Sequence, residues 1–258
     1  MLFSIITPVY NAAEKLEATI ASVLAQPQEL YEYLIIDGGS TDGTGEVLRR
    51  QTASALQWIS EPDRGIYDAM NKGIARASGH YLYFLGAGDL LEPDALAKTA
   101  ALLPPGELAF VYGNVRLAGT GALHDGPWSR LKFTRGNVTH QAIFYGREIF
   151  ARHGGYNLRY PFWADYVFNL QCFGDPQIPK LYVPLVIATY EGGGASVTRT
   201  DSALEADRAA LIRRHLGLIP FLFYLAERRL PEPVKRGRYT AVQALRRLFA
   251  FLRRGASC

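Results

Sequence analysis

Short apolar runs alternate with longer segments of helical periodicity through the first hundred residues. The short runs are rich in β-branched and aromatic residues, which predicts strands at residues 3–7, 33–36, 56–60 and 80–85. Between them, apolar residues recur every three or four positions, which predicts helices at residues 13–26, 44–52, 67–77 and 93–103. This alternation predicts a parallel sheet covered by helices on both faces.

The second half of the chain has a less regular pattern. Strands are expected at residues 110–117, 142–145 and 181–189, and a helix at residues 201–215. Basic amphipathic helices should follow, interrupted by Pro220, Pro231 and Pro233 because proline lacks the N–H that a helix interior needs. We therefore expect an α/β domain at residues 1–200 and a helical tail at residues 201–258.

Composition places the chain among ordered globular proteins, with 48% hydrophobic and 20% charged residues. Cys172 and Cys258 form neither a disulfide framework nor a metal motif, so a cytoplasmic location is the default expectation. A strand follows Met1 directly, and no secretory signal is expected. The longest apolar stretch, 216–226, is shorter than the roughly 20 residues of a membrane-spanning helix.

Charge is distributed unevenly along the chain. Residues 208–258 hold 12 Lys and Arg against 2 acidic residues, a balance of +10, so residues 1–207 carry −6 of the net +4. Cationic and apolar residues alternate in this tail, which favours attachment to an anionic membrane surface. The alternative is a helix that packs on the domain with its arginines in solvent. Nucleic acid is not an expected partner, because the acidic body lacks an extended basic face.

The segment from Leu34 to Thr44 carries the first sign of chemistry. An apolar strand ends there in Asp37, and Gly38 and Gly39 follow. Ligands of open α/β sheets bind at the carboxyl ends of the strands, and glycines let a ligand approach the main chain. Asp37 is thus placed to accept hydrogen bonds from a heterocycle or a sugar. A plain Asx turn leading into a capped helix is the alternative interpretation.

The loop after the first strand argues against two nucleotide-binding classes. Residues 7–11 contain no glycine, so the dinucleotide motif G-x-G-x-x-G is absent, and no Walker lysine loop is present. Tyr10 in this loop can pack against the face of a base. Loops at Ser60–Gly73 and Gly86–Asp89 should open at the same sheet edge.

Three ordered segments together resemble family 2 glycosyltransferases, namely residues 4–11 (SIITPVYN), 36–44 (IDGGSTDGT) and 79–85 (GHYLYFL). The family's fold is GT-A, a Rossmann-like α/β fold whose mainly parallel sheet is flanked by helices, and its enzymes invert the anomeric centre. Residues 60–72 are similar to the subgroup that builds bacterial exopolysaccharides and lipid-linked repeat units, including colanic-acid-type transferases. The resemblance covers residues 2–200.

The resemblance also implies which residues bind the nucleotide sugar. By position in the motifs they are Pro8, Tyr10, Asn11, Asp37, Asp63, Arg64 and Asp68. Arg64 and Lys72 can act electrostatically on a diphosphate, with a solvated helix lysine as the alternative for Lys72. His140, in the segment Thr139–Gln141, can donate to a phosphate or a sugar hydroxyl, or it is a structural histidine.

The turn Gly86–Asp89 stands where family members place two or three acidic residues and a metal ion. Only Asp89 remains here. One carboxylate suffices for Mg²⁺ or Mn²⁺ when substrate phosphates and water complete the shell, so we expect Asp89 to bind the metal. The alternative role of Asp89 is to cap the helix near Pro93.

Asp165 matches the family's catalytic acidic position, although the usual Glu-Asp pair reads Ala164-Asp165. A carboxylate there would deprotonate the acceptor hydroxyl, and the alternative is a helix cap. The glycine-rich segment 192–196 resembles a loop that closes over the donor.

The sequence therefore predicts a metal-assisted, inverting hexosyltransferase that uses a UDP- or GDP-sugar in cell-surface polysaccharide biosynthesis. The expected acceptor is a saccharide or a polyprenyl-diphosphate-linked saccharide at the cytoplasmic face of the inner membrane. Two alternatives are a non-catalytic sugar-nucleotide binding protein and a nucleotidyltransferase. The second would need a Gly-rich, Arg- and Lys-bearing loop after the first strand, which is absent.

Overall fold

The computed structural model describes residues 1–124, 126–193 and 199–229. Its strands are β1 (Phe3–Val9), β2 (Tyr31–Asp37), β3 (Leu56–Ser60), β4 (Tyr81–Phe84), β5 (Leu90–Leu91), β6 (Phe110–Leu117), β7 (Leu123–His124), β8 (Ile143–Gly146) and β9 (Lys180–Tyr190). Its helices are α1 (Ala13–Leu24), α2 (Thr44–Arg49), α3 (Ile66–Arg76), α4 (Ala95–Ala100), α5 (Arg147–His153), α6 (Ala164–Gly174), α7 (Ser202–Leu216) and α8 (Leu218–Arg228).

The strands form one sheet in the order β3-β2-β1-β4-β8-β6-β9-β5, with β7 beside β6. All three strand pairs of the first half, β1–β2, β1–β4 and β2–β3, are parallel, and β6 is parallel to β9. Strand β8 runs antiparallel between β4 and β6. The predicted α/β sheet flanked by helices is confirmed.

Strand register brings the loops of the first half to one edge. Val9 lies beside Asp37, and Asp37 beside Ser60, at the carboxyl ends of β1, β2 and β3. Every residue of β1 and of β2 is buried, which explains why these strands are mostly apolar and do not alternate with exposed polar positions. The buried strands thus hold the ends of three loops side by side.

Helix α6 was not among the predicted elements. Nine of its 11 residues are buried, so its sequence lacks the polar face that marks an amphipathic helix. It packs against α7, and Gly174 at its end lies where a Cβ would collide with the backbone of His215. This packing holds α6 closely against α7.

Pro220 does not break a helix, contrary to the sequence prediction. It lies in the first turn of α8, where a backbone N–H has no partner within the helix and proline is tolerated. Pro231 and Pro233 lie outside the described residues. Helices α7 and α8 contribute Leu204, Ile212, Leu216, Phe223 and Tyr224 to the buried set. Within the described ranges no helix is long and apolar enough to cross a membrane.

Candidate active site

Three cavities follow one another along the carboxyl edge of the sheet. The outer cavity, of about 830 Å³, lies between the β1 and β2 loops and the residues that precede α3. The central cavity, of about 260 Å³, lies between the Gly86–Asp89 turn and the start of α6. The aromatic cavity, of about 530 Å³, is bordered by Trp128, Trp163 and Tyr190.

Shared walls join these cavities into one groove. Pro8, Tyr10 and Phe162 border both the outer and the central cavity. His140 and Asp165 border both the central and the aromatic cavity. A ligand can therefore extend from the β1 loop to the carboxylate of Asp165 within a single groove.

Asp89 borders the central cavity and is only 5% exposed. Gln141 Nε2 donates to its Oδ2 at 2.6 Å, and the backbone N–H of Glu191 donates to its Oδ1 at 2.9 Å. Burial raises the pKa of Asp89, and the two hydrogen bonds only partly oppose this effect. Asp89 does not cap a helix, since α4 begins at Ala95.

Asp165 lies in the first turn of α6 and is held by three donors. Its Oδ1 accepts from the Tyr67 hydroxyl at 2.7 Å and from the backbone N–H of Tyr166 at 2.8 Å. Its Oδ2 accepts from Asn137 Nδ2 at 2.9 Å. A carboxylate oxygen can accept two hydrogen bonds, so Oδ2 keeps accepting capacity that Oδ1 has used.

His140 and Gln141 connect the two carboxylates. His140 Nδ1 lies 3.7 Å from Asp165 Oδ2, while the next residue, Gln141, bonds to Asp89. The Nε2 atom of His140 is buried and has no hydrogen-bond partner in the described part of the chain. A buried donor or acceptor without a partner is costly, and His140 borders both the central and the aromatic cavity.

The side chains of the β1 and β2 loops mostly bond to one another. Asp37 is 1% exposed, and its carboxylate accepts from the hydroxyls of Ser40 and Ser60, both at 2.5 Å. Asn11 Oδ1 accepts from the backbone N–H of Thr41 at 2.9 Å. Neither Asp37 nor Asn11 borders any of these three cavities, whereas Gly38 and Gly39 border the outer one. A nucleotide-binding role for these two side chains stays a prediction.

Ion pairs to residues of α3 hold the segment that precedes this helix. Arg64 Nη2 lies 3.0 Å from Asp68 Oδ1, and the guanidinium bonds lower the pKa of Asp68. Lys72 Nζ donates to the backbone oxygen of Pro62 at 2.7 Å and lies 3.1 Å from Glu61 Oε1. Asp63 and Arg64 border the outer cavity, whereas Asp68 and Lys72 do not.

The structure therefore brings together Pro8, Tyr10, Asp63, Arg64, Asp89, His140 and Asp165 along the groove. Sequence reasoning missed Tyr67, Asn137 and Gln141, which hold the two buried carboxylates. Burial raises the pKa of Tyr67 well above its usual value, so it stays a neutral donor. Tyr67 and Asn71 lie on one face of α3, and their spacing in the sequence could have indicated this. Asn71 also bonds twice to the backbone of Tyr156.

The glycine-rich loop is only partly described. Gly192 and Gly193 have positive φ angles of 86° and 73°, which L side chains rarely adopt, and Gly192 borders the central cavity. Residues 194–196 of the predicted closing loop lie outside the described residues.

This chain is similar in sequence to known proteins. The family model "Glycosyl transferase family 2" matches residues 4–164. A "PGL/p-HBAD biosynthesis glycosyltransferase" of Mycobacterium bovis BCG is 41% identical over 208 residues, which cover 78% of this chain and 81% of that protein. An uncharacterized glycosyltransferase of Mycobacterium tuberculosis is 34% identical over 244 residues, covering 91% and 90%.

Solved structures share the fold at low sequence identity. S. aureus TarS 1–349 in complex with UDP-GlcNAc has a TM-score of 0.67 and 17% identity, covering 88% of this chain and 71% of that one. The mannosyltransferase PcManGT of Pyrobaculum calidifontis, in complex with GDP-Man and Mn²⁺, has a TM-score of 0.60 and 23% identity, covering 90% and 66%. The fold is GT-A, and the chain belongs to glycosyl transferase family 2.

Proposed function

We propose that this glycosyltransferase moves a sugar, with inversion, from a UDP- or GDP-sugar to a hydroxyl of a saccharide or polyprenyl-diphosphate-linked acceptor. The pathway would be cell-surface polysaccharide biosynthesis. The observation that carries the proposal is that Asp89 and Asp165, from different halves of the chain, border one central cavity. The structural neighbours that bind UDP-GlcNAc and GDP-Man support a nucleotide-sugar donor.

The donor nucleotide would lie in the outer cavity. Tyr10 is 63% exposed there and offers a ring face to a base, while Gly38 and Gly39 leave the main chain open to the ribose. Asp63 and Arg64 border the same cavity and would meet the ribose and the diphosphate. Pro8 borders the same cavity. The other predicted residues would act mainly by shaping the loops, namely Asn11, Asp37, Asp68 and Lys72.

Asp89 fits a divalent metal, Mg²⁺ or Mn²⁺. Burial destabilises the ionised form of this carboxylate, and a bound cation would offset that destabilisation. A Cβ at Gly86 would lie 2.8 Å from Asp89 Oδ2, so the glycine leaves space beside this oxygen. Among the described residues no group of three His, Cys, Asp or Glu could hold a metal, so the donor diphosphate and water would supply the other ligands. When bound, the cation would neutralise charge on the departing nucleoside diphosphate.

Asp165 would act as the base. The acceptor hydroxyl oxygen attacks the anomeric carbon, the bond from that carbon to the diphosphate oxygen breaks, and the nucleoside diphosphate leaves with the electron pair. Asp165 Oδ2 takes the hydroxyl proton, since Oδ1 is occupied by Tyr67 and Tyr166. One displacement inverts the anomeric centre. His140, with its unpartnered Nε2, would donate to a donor phosphate or sugar hydroxyl.

The tail would attach the enzyme to an anionic membrane surface at the cytoplasmic face of the inner membrane. In its described part, Leu218 and Ile219 are 55% and 61% exposed, and Arg213 and Arg214, which precede them in the chain, are exposed as well. Exposed apolar and cationic side chains in one segment favour anionic lipid. In this proposal residues 1–200 are the catalytic domain and residues 208–258 the membrane-binding part, of which 230–258 lie outside the described residues.

A thermal-shift panel of nucleotide sugars, with and without Mn²⁺, tests the donor, because a ligand of the native state raises its stability. The selected donor is then incubated with the protein, and nucleoside diphosphate release is measured for wild type and Asp165→Asn. Turnover by wild type that the variant lacks supports the enzyme. Donor binding without turnover on saccharide or lipid-linked acceptors would instead favour a non-catalytic sugar-nucleotide binding protein.

A further inference from the structure

The lining of the central cavity is acidic. Asp89, Asp165 and Glu191 border it, and within the described part of the chain no lysine or arginine does. Like charges repel each other strongly where little water separates them. A nucleoside diphosphate in this cavity therefore needs a cation beside it.

The turn before Asp89 leaves space for an acidic side chain from a distant part of the chain. Gly88 has a φ of 102°, which L side chains rarely adopt, and a Cβ built on it would collide with Glu191 Oε2. The carboxylate of Glu191 therefore occupies the space that a side chain at position 88 would fill. The backbone N–H of Glu191 donates to Asp89 Oδ1 at 2.9 Å, so the two acidic residues are joined directly.

Lys15 of α1 holds the carboxylate of Glu191. Its Nζ donates to Oε1 at 2.7 Å and to Oε2 at 2.8 Å, but Lys15 itself does not border the central cavity. The Lys15 and Glu191 side chains are 53% and 42% exposed, so water screens this ion pair and it contributes little stability. The ammonium group is thus an exchangeable cation on a carboxylate that borders the cavity together with Asp89.

We propose that Glu191 is a second protein carboxylate for the divalent cation at Asp89, and that Lys15 occupies this carboxylate in the metal-free protein. In the loaded protein Lys15 would give up its bond and return its ammonium group to solvent. Two carboxylates with phosphate oxygens and water form a ligand set that suits Mg²⁺ and Mn²⁺. The inference rests on the proposed function, because it adds a residue to the metal site proposed there, in a position that water would otherwise fill.

The test measures Mn²⁺ binding by EPR, from the signal of free Mn²⁺, without nucleotide and with UDP or GDP, and mixtures without protein give the reference. Glu191→Gln keeps the backbone bond to Asp89. It should raise the Kd for Mn²⁺ at least about tenfold, since even groups that only orient metal ligands are worth about 10- to 100-fold in affinity. Lys15→Met frees the carboxylate and should lower this Kd by about fivefold or less, because an exposed ion pair is weak. The double variant should bind Mn²⁺ like Glu191→Gln alone.

A second ion pair of α1 supplies the matched controls. Arg50 Nη2 lies 3.1 Å from Glu17 Oε1, and neither residue borders any of the three cavities. Glu17→Gln and Arg50→Met should leave Mn²⁺ binding at the wild-type value. Opposite effects of Lys15→Met and Glu191→Gln separate competition for the metal from a purely structural ion pair, because loss of either partner of a structural pair should act in the same direction.

A Kd that rises in both variants would overturn the inference, and so would a Kd that Asp89→Asn raises but Glu191→Gln does not. Either result leaves the proposed function in place. Absence of protein-bound Mn²⁺ in wild type, with and without nucleotide, would overturn both the inference and the metal role of Asp89. Nucleoside diphosphate release by wild type is measured separately. The expected Mn²⁺ binding without such turnover would support the inference and contradict the proposed transfer.

Discussion

The two sides of the groove use their polar side chains differently. On the β1–β3 side, Asp37, Asn11 and Lys72 bond to neighbouring loops, so the outer cavity is bordered by main chain, by Tyr10 and by Arg64. On the other side, Asp165 is fixed by three donors yet still borders two cavities. A recognisable motif can thus consist of side chains that bond mainly to neighbouring loops, while a residue with weaker local context borders two cavities.

The largest effect is expected at Asp165. Asp165→Asn keeps the shape and can still accept from Tyr67 and Tyr166, but it cannot take a proton. Transfer should fall by about 100- to 10,000-fold, the usual contribution of a general base. Nucleoside diphosphate release is the measurement, and the donor thermal shift should stay at the wild-type value. If transfer were undiminished, Asp165 would not be the general base.

Asp89 should affect the donor where Asp165 does not. Asp89→Asn removes the anionic ligand, and Gln141 can rotate its amide to keep the contact. In the variant, Mn²⁺ should no longer add to the thermal stabilisation of the donor complex. The free energy of unfolding would lose about 3 kcal/mol, the stabilisation by a ligand present at 100 times its Kd. The measurement is a donor titration with and without Mn²⁺. A Mn²⁺ effect that survives in the variant would argue against a metal at Asp89.

Tyr67 connects the two sides of the groove, because it lies on α3, next to the β1–β3 loops, and its hydroxyl donates to Asp165. Tyr67→Phe removes one hydrogen bond to the carboxylate, and kcat should fall about tenfold, with the KM for donor unchanged. Tyr166→Phe is the matched control, since that hydroxyl donates to the backbone oxygen of Phe133 at 2.8 Å and not to Asp165. A similar fall in kcat for both variants would mean a general packing defect.

Glu32 is a buried carboxylate remote from the groove, and its loss should change stability without changing transfer. Burial would raise its pKa, but hydrogen bonds from Ser4, Ser78 and Gly79 outweigh this and lower it. Its stabilisation is thus present above the unfolded pKa of about 4.3 and is lost as pH falls through the lower folded value. Glu32→Gln should lower the free energy of unfolding by about 1–3 kcal/mol near neutral pH.

Urea unfolding of wild type and Glu32→Gln, followed from about pH 7 down to about pH 3, checks the sign of this effect, because the difference should shrink on acidification. A difference that grows at low pH would contradict it. Transfer by the variant at neutral pH serves as the control.

The smallest effect is expected at Lys72. Lys72→Met removes contacts to Pro62 and Glu61, and donor affinity should change by about fivefold or less, as a partly exposed ion pair is worth under about 1 kcal/mol. Arg64→Met, which alters the outer cavity itself, should weaken donor binding more. The reverse order in the two titrations would mean that Lys72 contacts the diphosphate.

Local pattern was a good guide to some elements and a poor one to others. Strands β1 and β2 are mostly apolar because every residue in them is buried, and the end of β2 was predictable from Asp37 and the two glycines that follow it. Helix α6 escaped prediction because it is buried almost all round and so has no polar face. The prediction at Pro220 was wrong because the effect of a proline depends on its position in a helix, and Pro220 lies in the first turn of α8.

The sequence by itself determined the parallel sheet, the loops at its edge, the family, and Asp89 and Asp165 as candidates. Only the tertiary structure decided that Gln141 holds Asp89 across 52 positions and that Tyr67 holds Asp165 across 98. It also showed that Asp37 is enclosed by Ser40 and Ser60. The physical reason is that periodicity and turn residues record burial and local backbone shape, whereas hydrogen bonds between distant side chains depend on how helices pack onto the sheet.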